Sequence, residues 1–138
     1  MKSHRKVAML DVRAEMHRRH DKAGYAAEKH VKRRTPVDMG LLRQSYTHVV
    51  DPGGVRIGTN VEYAPYVEFG TGNYVSAEGK QLADNRLRGR TGKTPWVYYS
   101  PRLRRFVTTY GQKAQPHLLP GTIQAIPDMR KAYGGKTR

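Results

Sequence analysis

The stretch from Val7 to Arg34 contains no proline and a single glycine, Gly24. No other feature constrains the fold as much, because a run this free of breakers with apolar residues at helical spacing reads as one long helix. Met9, Val12, Met16, His20, Ala23, Ala27 and Val31 recur at steps of three and four, which places them on one stripe. Arg13, Arg18, Arg19, Lys22, Lys29 and Lys32 fall on the other faces. Such a helix would be about 40 Å long at 1.5 Å per residue. Its stripe is narrow and poor in large aliphatic side chains, so it is marginal alone and must lie on a sheet or on another subunit.

Thr35-Pro36 ends the run, since the residue before a proline is pushed out of the α region. Asp38 is placed to cap a short helical turn holding Leu41 and Leu42, with Leu42 directed to the core. Ser45 to Val50 and Val55 to Val61 then read as strands joined by the turn Asp51-Pro52-Gly53-Gly54, with Val55, Ile57 and Thr59 on one face. Pro65 suits the first position of a further helical turn, which Tyr63, Tyr66 and Phe69 would anchor on the sheet and Gly70 and Gly72 would end. Residues 71–94 are poor in aliphatics and rich in charge, and read as a long flexible loop. Trp96 to Tyr99 and Phe106 to Tyr110 form a second pair of strands. Pro120 to about Tyr133 reads as a helix carrying Ile123 and Ile126, kinked or split at Pro127. The expected class is α+β: an antiparallel sheet with a long N-terminal helix and a C-terminal helix packed on it, plus a long basic loop. Residues 1–133 would make one domain with an extended loop at 71–95, and 134–138 a flexible basic tail.

Charge is unevenly spread. Residues 1–34 hold eleven basic and four acidic side chains, 35–70 two and four, and 71–138 thirteen and three, giving +7, −2 and +10. Two basic arms around a near-neutral centre favour a polyanion or an acidic protein surface as neighbour. The hydrophobic fraction of 37% is below the ~45–50% usual for a globular domain, which suits a thin subunit that completes its burial against others. The absence of cysteine excludes disulfides and thiolate zinc sites. No apolar run reaches the ~18 residues of a membrane span, and no apolar segment follows the basic N-terminus as in a signal peptide.

Catalytic readings do not hold together. Gly89-Arg90-Thr91-Gly92-Lys93-Thr94 resembles the end of a phosphate-binding loop, but the first glycine would have to stand where Leu87 is. His17, His20 and His30 are spaced for a helix, yet Arg18, Arg19 and Lys22 would repel a cation, so they read as surface histidines. Nothing in the spacing of Asp38, Glu62 and Glu68 sets a cleft between two carboxylates, and no nucleophile elbow occurs. No cofactor, metal or enzymatic activity is expected. The basic loop, with Tyr74 before it and Trp96 after it, could meet phosphates or an acidic protein neighbour.

Three blocks carry a resemblance. They are Thr35-Pro36-Val37-Asp38-Met39-Gly40-Leu41-Leu42-Arg43-Gln44-Ser45-Tyr46, the stretch from Val55 to Gly72, and Gln115-Pro116-His117-Leu118-Leu119-Pro120. In this order they resemble the head–tail joining, tail completion and minor tail proteins of tailed bacteriophages. The matching positions are Pro36, Asp38, Gly40, Leu42, Arg43 and Ser45 in the first block. In the second they are Gly58, Asn60, Tyr63, Ala64, Tyr66, Glu68 and Gly70, and in the third Pro116 and Pro120. Met39 stands where threonine is usual, His117 where phenylalanine is common, and the insertion from Asn73 to roughly Tyr110 is longer than the pattern.

The resemblance implies a non-enzymatic virion protein, assembled in the host cytoplasm, that forms a homo-oligomeric ring, usually six-fold, at the neck or top of the tail. Its implied partners are further copies of itself, the connector or stopper, and tail terminator or tail-tube proteins, with weak contact to packaged double-stranded DNA. Arg86, Arg88, Arg90, Lys93, Arg102, Arg104 and Arg105 are the candidates for touching DNA or a partner. Two alternatives remain open: a small basic nucleic-acid-binding module, which charge alone supports, and a minor tail or tail-assembly protein elsewhere in the tail.

Overall fold

The computed structural model describes residues 2–37, 40–81 and 95–135, and these form two compact units. Asp38 as a cap, the loop residues Arg86, Arg88, Arg90 and Lys93, and the end of the basic tail lie outside the described residues.

The first unit combines residues 1–60 with 117–138. Its spine is helix α1 (Lys2–Arg34), as the unbroken run requires. Against it lie the short helix α2 (Leu41–Ser45), the hairpin of β1 (Thr47–Asp51) and β2 (Gly54–Gly58), and helix α5 (Leu118–Ala132). The hairpin register pairs His48 with Ile57 and Val50 with Val55, so these four share the face opposite to Thr47, Val49 and Arg56. β1 starts at Thr47, two residues later than the alternation suggested, because α2 runs on through Ser45. The residue just before α2 is Gly40 at φ 77°, with no side-chain cap hydrogen bond.

α5 lies antiparallel to α1, with Gly121 beside Val31 at one end and the Tyr133 ring against His20 at the other. A Cβ on Gly121 would sit 2.7 Å from the Val31 Cα, so the missing side chain is what lets the two backbones meet. The stripe foreseen on α1 is buried from His20 through Ala23 and Ala27 to Val31. On α5 the inward residues are Gly121 and Ala125, whereas Ile123 and Ile126 are exposed. The C-terminal helix therefore packs on the other helix through small residues, not on the sheet through its isoleucines. It begins at Leu118, with Pro120 in the first turn, where an N–H has no helical partner in any case, and it continues past Pro127 to Ala132.

The second unit spans Val61–Pro116. Helix α3 (Ala64–Phe69) starts with Pro65 in its first turn. Ala64 and Glu68 are its buried residues, Tyr63 just before it is exposed, and Phe69 packs against the Gly79 backbone, so the aromatics anchor it less than expected. The described start of the expected long loop is ordered. It holds a 3₁₀ turn at Gly72–Tyr74 and helix α4 (Ala77–Gln81), seeded by Val75, which is buried. Residues 67–73 are tied to 110–115 by Thr71 N–H to Gln112 O at 2.9 Å, Asn73 N–H to Tyr110 O at 3.0 Å and Gln115 N–H to Val67 O at 2.8 Å. β3 (Trp96–Ser100) and β4 (Arg105–Thr109) close a second antiparallel hairpin.

The class is α+β, with a long N-terminal and a C-terminal helix, as the sequence indicated. Among the described residues four strands form two separate two-stranded sheets in place of one. Each hairpin is built within its own unit, and neither adds a strand to the other.

Candidate functional site

The block residues of the first unit knit the end of α1 to α2 and the first hairpin. Pro36 follows Thr35, whose N–H and Oγ1–H both donate to the Val31 carbonyl, at 2.9 and 2.8 Å. Arg43 reaches back from α2 and donates an Nη2–H to the Thr35 carbonyl at 3.0 Å. Leu42 is buried. Ser45 Oγ donates to Leu42 O at 2.8 Å and faces Thr59 Oγ1 at 2.5 Å, just beyond Gly58 and beside Asn60. In the second unit Tyr63, Ala64, Tyr66, Glu68 and Gly70 belong to α3 and its two ends. Gly70 stands at φ 77°, where a Cβ would lie 2.5 Å from Tyr74 O. Pro116 lies just before the start of α5 and Pro120 in its first turn.

Two polar clusters of the first unit, one buried and one half-buried, were not singled out from sequence. Tyr46 Oη and His117 Nε2 lie 2.8 Å apart with both residues buried, which gives the histidine at the usual phenylalanine position a polar role. His48, on the inward face of β1, has Nδ1 2.8 Å from Glu28 Oε2 and Nε2 3.2 Å from Asp21 Oδ1, both carboxylates coming from α1. The Tyr25 ring meets its edge at 4.5 Å, and its Cδ2 occupies the space a Cβ on Gly24 would need. Both ring nitrogens face carboxylates, which only accept, so the doubly protonated imidazolium satisfies both. Burial pulls the His48 pKa down, but hydrogen bonds to Glu28 and Asp21 outweigh it, and the net shift is upward. Burial likewise raises Glu28, while Lys32 and His48 more than offset it and hold it below the ordinary glutamate value. A histidine facing a glycine one helix away is the only sequence sign of this latch, and it is weak.

Of the three α1 histidines read as surface residues, His17 is exposed, whereas His20 is buried against Tyr133 and His30 Nε2 lies 3.0 Å from Asp128 Oδ2. Among the described residues no group of three or more His, Asp or Glu side chains is placed to hold a metal ion. No helix among them is long and apolar enough to cross a membrane.

The surface divides into basic and apolar parts. Lys29, Lys32, Arg33, Arg43 and Gln44 line an open groove at the end of α1, and the Arg43 Nε is buried with no hydrogen-bond partner among the described residues. Arg102, Arg104 and Arg105 cluster at the turn between β3 and β4, all exposed, with Arg104 at φ 50°. Val97, Tyr99 and Phe106 share one face of that hairpin, and the Tyr99 and Phe106 rings meet edge to face at 5.4 Å. Phe106 is 73% exposed. A two-stranded hairpin with an uncovered aromatic face is marginal by itself.

Small units held by scaffold contacts, with uncovered apolar faces and a strongly basic surface, describe a structural subunit better than a catalytic one. Residues 2–70, half of the chain, match the family model described as "Bacteriophage HK97-gp10, putative tail-component". The chain therefore belongs to the HK97-gp10-like family of bacteriophage tail proteins, and is a structural component of a phage virion. The match takes in the first of the three sequence blocks and nearly all of the second, while the third lies beyond it. No curated protein and no solved structure matches the chain.

Proposed function

We propose that this tail component is one subunit of a homo-oligomeric, six-fold ring at the head–tail interface, joining the connector to the tail tube around the DNA channel. The observation that carries this reading is the family match together with apolar faces left uncovered in both units. A subunit meant to be covered by neighbours on two sides carries such faces. Its mechanism is mechanical. Adjacent copies pack head to tail, each using one patch against a different patch of the next, and such contacts make a ring when their rotation closes. The connector or stopper would lie on one side of the ring and the tail terminator or tail-tube protein on the other.

The basic groove with Arg43 and the tip with Arg102, Arg104 and Arg105 are the surfaces proposed to meet an acidic neighbour or the phosphates of the DNA end, as are Arg86, Arg88, Arg90 and Lys93. Strong attraction would hinder DNA passing through the channel, so the contact proposed is weak and sensitive to salt. The test is the particle itself. Tails purified from cells in which this gene is disrupted should fail to join filled heads, and adding the purified chain should restore joining. Normal joining in its absence would overturn the reading and favour a minor tail or assembly role.

A further inference from the structure

Both faces of α5 are apolar. Gly121 and Ala125 lie inward on α1, and Leu119, Ile123 and Ile126 form a second stripe on the opposite side. α1 has the complementary feature. Its stripe is buried as far as His20, where α5 ends at Tyr133, and then continues through Met16, Val12 and Met9 with no cover from the first unit. These six side chains are between 40% and 63% exposed. Single exposed aliphatics are ordinary, but two uncovered stripes on two helices of one chain are not.

The spacings of the two stripes agree. From Met16 the α1 stripe steps back four residues to Val12 and three more to Met9. From Leu119 the α5 stripe steps forward four residues to Ile123 and three more to Ile126. Laid antiparallel, the stripes bring Leu119 opposite Met16, Ile123 opposite Val12 and Ile126 opposite Met9, with the alternating steps that packed helices use. The orientation is the one α1 and α5 already adopt within the chain, and the α1 stripe is the direct continuation of that interface. Thr122, Pro127 and Met129 beside the α5 stripe carry no charge, so Arg13 meets no like charge there, whereas Arg130, one turn past Ile126 on the same stripe, comes toward Lys6, so the contact ends at Met9 and Ile126.

We propose that the outer stripe of α5 in one copy packs antiparallel on Met9, Val12 and Met16 of α1 in a second copy, and that this contact joins neighbouring subunits. The proposal rests on the ring reading above and names the surfaces that make it. The contact is heterologous, because each chain gives its α5 to one neighbour and its α1 to the other. Three side chains on each side fall well short of the ~1,200 Å² of a stable standard interface. One such contact is therefore weak, and the chain depends on ring closure or on a partner surface to hold it.

The chain has no cysteine, so disulfide trapping is clean. Full-length chains carrying Val12→Cys or Ile123→Cys are mixed, added to tails that lack the protein, and oxidised. The expected product is a mixed disulfide between the two variants, at least ten times more abundant than either homodimer and lost when Met16→Asp is added to the Val12→Cys chain. If the chains join the tails but give no mixed disulfide, or mainly Val12–Val12 homodimers, the interface lies elsewhere and only the ring reading survives. If neither the variants nor the unsubstituted chain join tails, the ring reading fails and takes this inference with it.

Discussion

Replacing Gly121 by alanine tests the junction on which the first unit depends. In an isolated helix the change would stabilise by about 1 kcal/mol, because glycine is the poorer helix former. In this chain the new methyl carbon lands 2.7 Å from the Val31 Cα, and 3.0 Å from its N and from its Cγ2. Two of those three atoms are backbone, so no change of rotamer relieves the clash. Carbon atoms pack at about 3.5–4.0 Å, so α5 must retreat by roughly 1 Å, a gap that forfeits a quarter to a half of each dispersion contact along the seam. Overpacking of this kind costs up to about 3 kcal/mol. Less the propensity gain, a net loss of about 2 kcal/mol is expected, or roughly 6–10 °C in Tm for a chain of this size. The assay is thermal and urea unfolding followed by the helical circular dichroism signal, with an unchanged urea slope and a lowered midpoint. Gly53→Ala, where nothing lies within 4 Å, serves as the control and should be nearly neutral. A Gly121→Ala chain as stable as the parent, or more so, would refute the close approach of α5 to α1.

Other expectations follow from the same contacts. His48 has a raised pKa, so the stability it contributes is complete below the unfolded histidine value near 6.5 and is lost as pH rises through the folded value. Glu28 has a lowered pKa, so its share is present above the ordinary glutamate value of 4.5 and lost as pH falls through the folded value. The latch between β1 and α1 should thus be firmest in the mildly acidic range. NMR titration of the His48 ring should give a midpoint above 6.5, and a midpoint at or below it would sink the argument. Tyr46→Phe removes a hydroxyl from a fully buried pair with His117 and should cost about 1–3 kcal/mol in urea unfolding, whereas no loss would mean the pair carries no stability. Phe106→Gln, on the open face of the second hairpin, should change monomer stability by less than about 0.5 kcal/mol while lowering incorporation into particles. A drop in stability would show that the face is already covered. Binding of short duplex DNA should be weak and should fall steeply between about 50 and 200 mM salt. Salt-independent binding would contradict a contact made through phosphates alone.

The sequence was most legible where the backbone itself dictates the outcome. Helix α1 follows from a run without breakers, Pro36 ends it, Pro65 starts α3, and Asp51-Pro52-Gly53-Gly54 turns the first hairpin. Packing was harder to read, because periodicity shows which residues share a face but not what covers it. Ile123 and Ile126 were the large apolar residues visible on the last helix, yet the face that meets α1 is that of Gly121 and Ala125, since only small residues let two helices touch there. The pairing of all strands into one sheet failed for a similar reason. Strand patterns are local, and nothing in them says that the hairpins belong to different units. Residues 72–81 looked like loop because they hold few aliphatics, but Val75 and the bare backbone of Gly79 against Phe69 are enough to order a short helix. Of the candidate site, the blocks from Pro36 to Gly70 were visible in the sequence as a pattern. The His48 latch could not, because its carboxylates lie 20 and 27 residues away along the chain.

The central claim is that this tail component forms a ring between head and tail, and a cryo-EM reconstruction of intact virions tests it most directly. The account predicts a closed, six-fold ring of this chain between the portal-side connector and the first tail-tube ring, with α5 of each copy lying against α1 of the next. Its absence from that position in the mature particle, or its presence there as isolated copies that do not touch, would contradict the account.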